Sequence, residues 1–336
     1  MSERIANVWR GEMVESSHDG DAVVVDTHGN VLWSLGNPER MIYARSSAKP
    51  LQALPLIETG AADAFSLTEE ELAVTCASHN GEPYHTNLVA GILKKIGMSE
   101  NDLQCGVHAP YHTPSYEALL RQNIELGPLQ NNCSGKHAGM LVLCAHLGAD
   151  KGTYLSRQHP VQRAIRGAIA SICEFPEEEI VPGTDGCGVP VFGLPLEKLA
   201  LGFAHLANPV DLPDTRQDAL NRIRNAMLHY PYAIAGEDRF CTDLMVAGRG
   251  RIVGKTGAEA VYALGLPEPG WGLCLKVSDG NSRAIPPVVV DMLQQIQAVP
   301  DEVIANLAKH HFPEMRNHQG TLVGRIESVA RLKSSK

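Results

Sequence analysis

Apolar and polar residues alternate along the first forty or so positions, then give way to a helical rhythm. Val8 to Ser16, Ala22 to Asp26 and Val31 to Leu35 read as strands of a meander, with Asp19-Gly20 and His28-Gly29-Asn30 as the turns. From Ser46 onward apolar positions recur every three to four residues. That spacing predicts helices over 46–58, 85–96, 133–147, 160–174, 194–207 and 213–230. Another helix opens at Thr68, which is placed to cap it, with Glu71 three residues on as the reciprocal capping partner. Strands return near the end, where 251–266 and 271–278 are expected to pair across Pro267-Glu268-Pro269-Gly270, followed by a helix over 285–297. Strands at both ends with helices between predict an α+β fold. A single domain over 1–336 is expected, its antiparallel sheet drawn from both termini and packed with a central helical region.

Composition narrows the function classes. Hydrophobic residues are 44% and charged residues 20% of 336, which suffices for a real core. The net charge is −9 with no cluster of Lys and Arg, so no nucleic acid is expected as a partner. The basic residues Arg331, Lys333 and Lys336 read as a solvated end. No stretch approaches the roughly 20 apolar residues of a membrane span, so no membrane partner is expected. The opening residues lack the apolar core of a signal peptide. A cytoplasmic location follows as an expectation, and with it eight reduced cysteines that burial, metal binding or catalysis must explain.

Three short motifs carry candidate chemistry. Ser46-Ser47-Ala48-Lys49 matches S-x-x-K. On a helix the first and last of these share a face, so the lysine reaches the serine hydroxyl and, if uncharged, takes its proton. Ser78-His79-Asn80 matches S-x-N just after a helix, and Lys255-Thr256-Gly257 lies on a C-terminal strand. S-x-x-K, S-D-N and K-T-G together are the signature of serine β-lactamases and penicillin-binding proteins. S-x-x-K or S-x-N alone turns up roughly once by chance in a chain of this length, and K-T-G about once in ten such chains. Order and placement are what give the trio its weight. Taken singly, Ser46 is a helix cap, Lys49 a solvated side chain and Lys255 an edge-strand charge. His79 in place of Asp is a departure that weakens the penicillin-type reading and leaves the Ser–Lys chemistry intact.

A second cluster surrounds two cysteines. Asn131 to Gly139 opens a helix on which Cys133, Lys136 and His137 fall on one face, and the helix start together with Lys136 favours the Cys133 thiolate. Thr184 to Pro190 is a Gly-rich loop bearing Cys187. Two thiols do not complete a zinc site, which takes about four ligands. Burial as small core residues and a shared metal both remain open on the residues alone. Cys241, with polar neighbours in Asp238 to Asp243, is a candidate to line a site.

In these same segments the chain resembles the Rhizobium-type L-asparaginases, the asparaginase II family. The match is carried by Ala44 to Pro50, Cys76 to Asn80, Asn131 to Met140, Thr184 to Pro190 and Gly254 to Gly257. The resemblance implies a fold like that of serine β-lactamases, penicillin-binding proteins and bacterial glutaminases. It implies two Ser–Lys pairs at one site, Ser46 with Lys49 and Ser78 with Lys255. It further implies one zinc ion per chain on Cys133, Lys136 and Cys187, and a homodimer. The expected activity is L-asparagine hydrolysis (EC 3.5.1.1 type) through an acyl-enzyme on Ser46. Arg45 and Asp185 are candidates for the substrate's α-carboxylate and α-ammonium because those groups need opposite charge. Asn80, His137 and Cys241 are candidates to complete the pocket. The alternatives are a glutaminase, a β-lactamase-like esterase or peptidase, and a non-catalytic zinc-binding amino-acid sensor.

Overall fold

The computed structural model describes residues 1–335; Lys336 lies outside them. It divides into two compact units. One comprises Met1–Ser47, Leu194–Asn208 and Asp243 onward, the other Ala48–Gly193 and Pro209–Thr242.

The first unit is built on an antiparallel sheet. Its main path runs Glu314–Arg316, Leu322–Ser328, Glu3–Arg10, Met13–Asp26, Trp271–Val277, Val261–Leu266 and Val253–Gly257. Val31–Leu35 pairs with Met13–Asp26 beside that path, and Lys333–Ser334 pairs with Val31–Leu35. Glu3–Arg10 lies against Leu322–Ser328, with Ala6 opposite Ser328 and Trp9 opposite Arg325, so both ends of the chain share one sheet as expected. The helix Leu196–Ala207 packs on this sheet. Gly265 and Gly272 face each other across two central strands, and a Cβ on either would strike the Phe203 or Ala200 carbonyl. Two bare backbones in register give the helix a flat floor to lie on.

Three strand expectations are corrected: the turn at Asp19-Gly20, the unbroken strand from Val8 to Ser16, and the single strand over 251–266. Asp19-Gly20 is no turn, because one strand runs through it from Met13 to Asp26. Gly20 is needed there for close packing: a Cβ would meet the Lys276 carbonyl at 2.6 Å and Ile5 at 2.7 Å. The reversal occurs instead at Gly11, whose φ is +55°. The stretch 251–266 is a hairpin rather than one strand, since Val253–Gly257 pairs with Val261–Leu266. Its turn places Glu259 and Ala260 at φ +59° and +52°. Neither residue is a usual left-handed turn former, which is why the turn is silent in the sequence.

The second unit is mainly helical. The 46–58 segment breaks into a 3₁₀ turn Arg45–Ala48 and short helices Lys49–Gln52 and Leu54–Glu58, with Pro50 and Pro55 each in a first turn. Thr68 and Glu71 form the expected capping box at the start of Glu69–Thr75. Helix Ser134–Leu147 is buried without interruption from Ser134 to Cys144, as a central helix should be. Gly135 and Gly139 let it seat against Glu69–Thr75. A Cβ on Gly135 would strike the Val74 carbonyl, and one on Gly139 would sit 3.2 Å from Thr75. This close seating brings the start of Ser134–Leu147 alongside the Ala77–Asn80 segment. No helix of the described residues is long and apolar enough to cross a membrane.

Candidate active site

In the first unit, Ser46 follows a residue held in a costly conformation. Arg45 has φ +50°, a left-handed setting that non-glycine residues adopt only when their surroundings force it. Gly257 supplies part of that force. A Cβ there would lie 2.9 Å from the Ala44 carbonyl, 3.1 Å from the Ser47 nitrogen and 3.4 Å from Arg45. The Lys255-Thr256-Gly257 strand therefore packs directly against the turn that carries Ser46. Lys255 is fully buried, and its Nζ donates to the Thr256 carbonyl at 2.8 Å. Ser46 and Ser47 are now distinguishable. Ser47 is fully buried with its hydroxyl donated to Ala44 at 2.6 Å, whereas Ser46 is half-buried.

The second unit holds the other serine. Ser78 and Asn80 donate their backbone N–H groups to Ile234 and Ala235, each at 2.9 Å, and His79 donates to Asn132 at 3.3 Å. The segment is thus extended, with Ser78 and Asn80 on one face and His79 on the other. Lys49, 1% exposed, aims its Nζ at the Ala77 carbonyl (2.5 Å), Ser78 Oγ (2.9 Å) and Cys133 Sγ (3.2 Å). Three acceptors thus surround one side-chain nitrogen.

His79 ties this segment to the central helix. Its Nδ1 accepts from the Gly81 N–H at 3.1 Å, so the proton sits on Nε2, which donates to Ser134 Oγ at 2.9 Å. Ser134 passes its own hydrogen to the Leu129 carbonyl at 2.9 Å. Burial, then the neighbouring His85 and Lys49, hold the His79 pKa well below the usual imidazole value. The residue that departs from S-D-N is therefore a neutral, fully satisfied strut.

Cys133, Lys136 and Cys187 come together, all three buried. Lys136 Nζ donates to Cys187 Sγ at 3.0 Å. A hydrogen bond from Cys187, helped by Lys49 and Lys136, outweighs burial and holds the Cys133 thiol well below its ordinary value. Cys187 is pushed up, first because it is the donor to Cys133 and then by burial. Burial opposes the charge on Lys136, yet Cys133, Cys187 and Asp185 raise its pKa on balance. Two thiols and an amine thus share one buried cluster. Among the described residues no group of three or more His, Cys, Asp and Glu is placed to hold a metal.

The remaining expected site residues are placed as follows. His137 is fully buried beside Lys136, its Nδ1 2.7 Å from the Tyr154 hydroxyl and its Nε2 without a partner among the described residues. Asp185 shapes its own turn by accepting from Gly188 on its carbonyl and from Gly186 on Oδ1, both at 2.9 Å. Cys241 is buried near the start of the helix Phe240–Gly248. Asn80 accepts from Arg239 at 2.7 Å, a contact spanning 159 residues that no local spacing announces.

The family described as L-asparaginase II matches residues 6–328 of this chain. No curated protein matches it in sequence. Among solved structures, it is similar to a protein from Bacteroides dorei described as a beta-lactamase candidate, at 12% identity and TM-score 0.42, covering 82% of this chain and 93% of that one. It is also similar to a structure described as Mglu in its native form, at 13% identity and TM-score 0.36, over 83% of this chain and 64% of the other.

A pH prediction follows from His79. An unfolded histidine takes up a proton near pH 6.5, and the buried one does so only well below that. Stability is therefore full above about pH 6.5 and is lost as pH falls toward the folded value, by about 1.4 kcal/mol per pH unit per proton. Denaturant midpoints taken from pH 7 to pH 5 should show this slope reduced by about one proton in His79→Gln. Equal slopes in the two proteins would contradict the assignment.

Proposed function

We propose that this chain, which belongs to the L-asparaginase II family and is thereby an asparaginase-type amidohydrolase, hydrolyses L-asparagine to L-aspartate and ammonia through an acyl-enzyme on Ser46. The observation that carries this reading is the buried Lys49 amine, set three residues after Ser46 and hydrogen-bonded to Ser78 Oγ. A lysine shut off from water beside a hydroxyl is a proton acceptor in waiting once it is uncharged.

In the proposed reaction neutral Lys49 takes the Ser46 proton, and Oγ bonds to the side-chain amide carbon. Backbone N–H groups, that of Ser46 among them, hold the oxyanion. As the C–N bond breaks, the departing nitrogen gains a proton through Ser78 and Lys255 and leaves as ammonia. Water then attacks the β-aspartyl ester by the reverse proton path, which regenerates Ser46. Arg45 and Asp185 are assigned to the α-carboxylate and α-ammonium, with Asn80, His137 and Cys241 completing the pocket.

We assign a zinc ion to the buried cluster of two thiols and one amine. Two sulfur donors and one amine converge in a dry place; thiolates are usual zinc donors and a lysine amine an unusual one. Cys133, Lys136 and Cys187 would hold it, with Lys136 losing its proton to do so. Such an ion supplies positive charge that orders the pocket, tempered by the two thiolates. We assign a cytoplasmic homodimer on similar grounds of consistency. The helix Thr113–Arg121 buries none of its residues and leaves Leu120, with nearby Ile124, exposed for a partner copy.

Ammonia release from asparagine should vanish in Ser46→Ala, survive in Ser47→Ala, and fall about 10²- to 10⁴-fold in Lys49→Met. Glutamine, one methylene longer, should be discriminated against by only about 10- to 200-fold. A Ser46→Ala protein as fast as wild type would sink the reading. Metal analysis of purified protein should find zinc that is lost in Cys187→Ser; equal zinc in both proteins would remove that ligand set.

A further inference from the structure

We infer that Arg239 is a specificity residue: it clamps the α-carboxylate of the amino-acid substrate, and Asn80 holds its guanidinium in position. The inference rests on the amidohydrolase reading and adds a second cation to the role assigned to Arg45.

Arg239 lies in an open groove of the second unit, lined also by Asn80, Tyr111, His112, Glu237 and Asp238. Its Nη1 donates to Asn80 Oδ1 at 2.7 Å, and its guanidinium sits 5.7 Å from the Tyr111 ring centre. A guanidinium carries five N–H donors, and the one side-chain hydrogen bond it makes here goes to a neutral amide. Among the described residues it forms no ion pair. Two acids close by are engaged elsewhere: Glu82 accepts from Tyr232 and from Asn80, and Glu237 meets His112 at 3.1 Å. A half-buried cation with free forked donors and no anion fits a planar carboxylate from a ligand.

The setting is rigid. The Asn80 amide nitrogen donates to Glu82 Oε1 at 3.2 Å and to the Glu237 carbonyl at 3.0 Å, which leaves its oxygen turned to Arg239. The 235–239 loop folds back tightly. Gly236 has φ +107°, where a Cβ would lie 2.8 Å from the Asn80 amide nitrogen, and Asp238 has φ +56°. Ser78 and Asn80 share one face of an extended segment two residues apart, roughly 6–7 Å along the chain. That separation is about the length of an amino-acid amide. The groove thus offers a cation for a carboxylate, with Asp238 on its wall for an ammonium.

The test compares asparagine with β-alaninamide, which is asparagine without its α-carboxylate. Wild type should favour asparagine by more than about tenfold in kcat/KM, since a hydrogen-bonded charge pair contributes that much or more. Arg239→Gln should lose roughly 10²-fold on asparagine, mainly through KM, and change little on β-alaninamide. Arg239→Lys should recover part of the loss, because it keeps the charge without the fork. A merely structural role would lower both substrates alike, and that result, or no loss on either, overturns the inference. So does a wild type that treats the two substrates equally, which needs no variant at all. If wild type releases no ammonia from asparagine, the amidohydrolase reading fails separately. Calorimetry with L-aspartate then decides the clamp: binding weakened at least tenfold in Arg239→Gln supports it, and unchanged binding overturns it.

Discussion

Lys49 is sealed from water with a carbonyl, a hydroxyl and a sulfur around its one nitrogen. A buried amine that lacks even one of these partners leaves an unsatisfied polar group in a dry interior, which is costly. Meeting that demand fixes three segments at once. The Ala77–Ser78 backbone must run past the lysine, the central helix must begin close enough to present Cys133, and Pro50 must start a new turn right after Lys49. Gly135 and Gly139 permit the helix approach, and the His79–Ser134 hydrogen bond locks it.

The first unit meets a different constraint with a different device. Ser46 has to stay accessible while its neighbour Ser47 is spent on the backbone. The turn achieves this by forcing Arg45 into a left-handed conformation and backing it with the bare Gly257. Strain at Arg45 and close packing at Gly257 explain together why K-T-G ends in glycine and why a C-terminal strand belongs next to an N-terminal turn. The sheet makes that meeting possible, because its two ends draw on both halves of the sequence.

Much of this was legible in the residues. The α+β class, the sheet shared by both termini, the capping box at Thr68 and the long buried helix after Cys133 follow from periodicity and end signals. The structure gathers five of the residues that the motifs singled out, Lys49, Ser78, Cys133, Lys136 and Cys187, in one unit. What was hidden had physical reasons. The Glu259-Ala260 turn uses residues that seldom take left-handed angles. Gly20 looked like a turn residue and is instead a point of cross-strand contact. Arg239 meets Asn80 only through tertiary folding, and the neutral role of His79 depends on Gly81 and Ser134 accepting a particular tautomer.

The central claim is covalent catalysis at Ser46, and intact-mass analysis of rapidly quenched protein with asparagine tests it most directly. A β-aspartyl group should appear during turnover, map by peptide analysis to Ser46, and be absent from Ser46→Ala. Steady ammonia release with no acyl adduct on any serine, or an adduct that maps to Ser78 instead, would contradict the account.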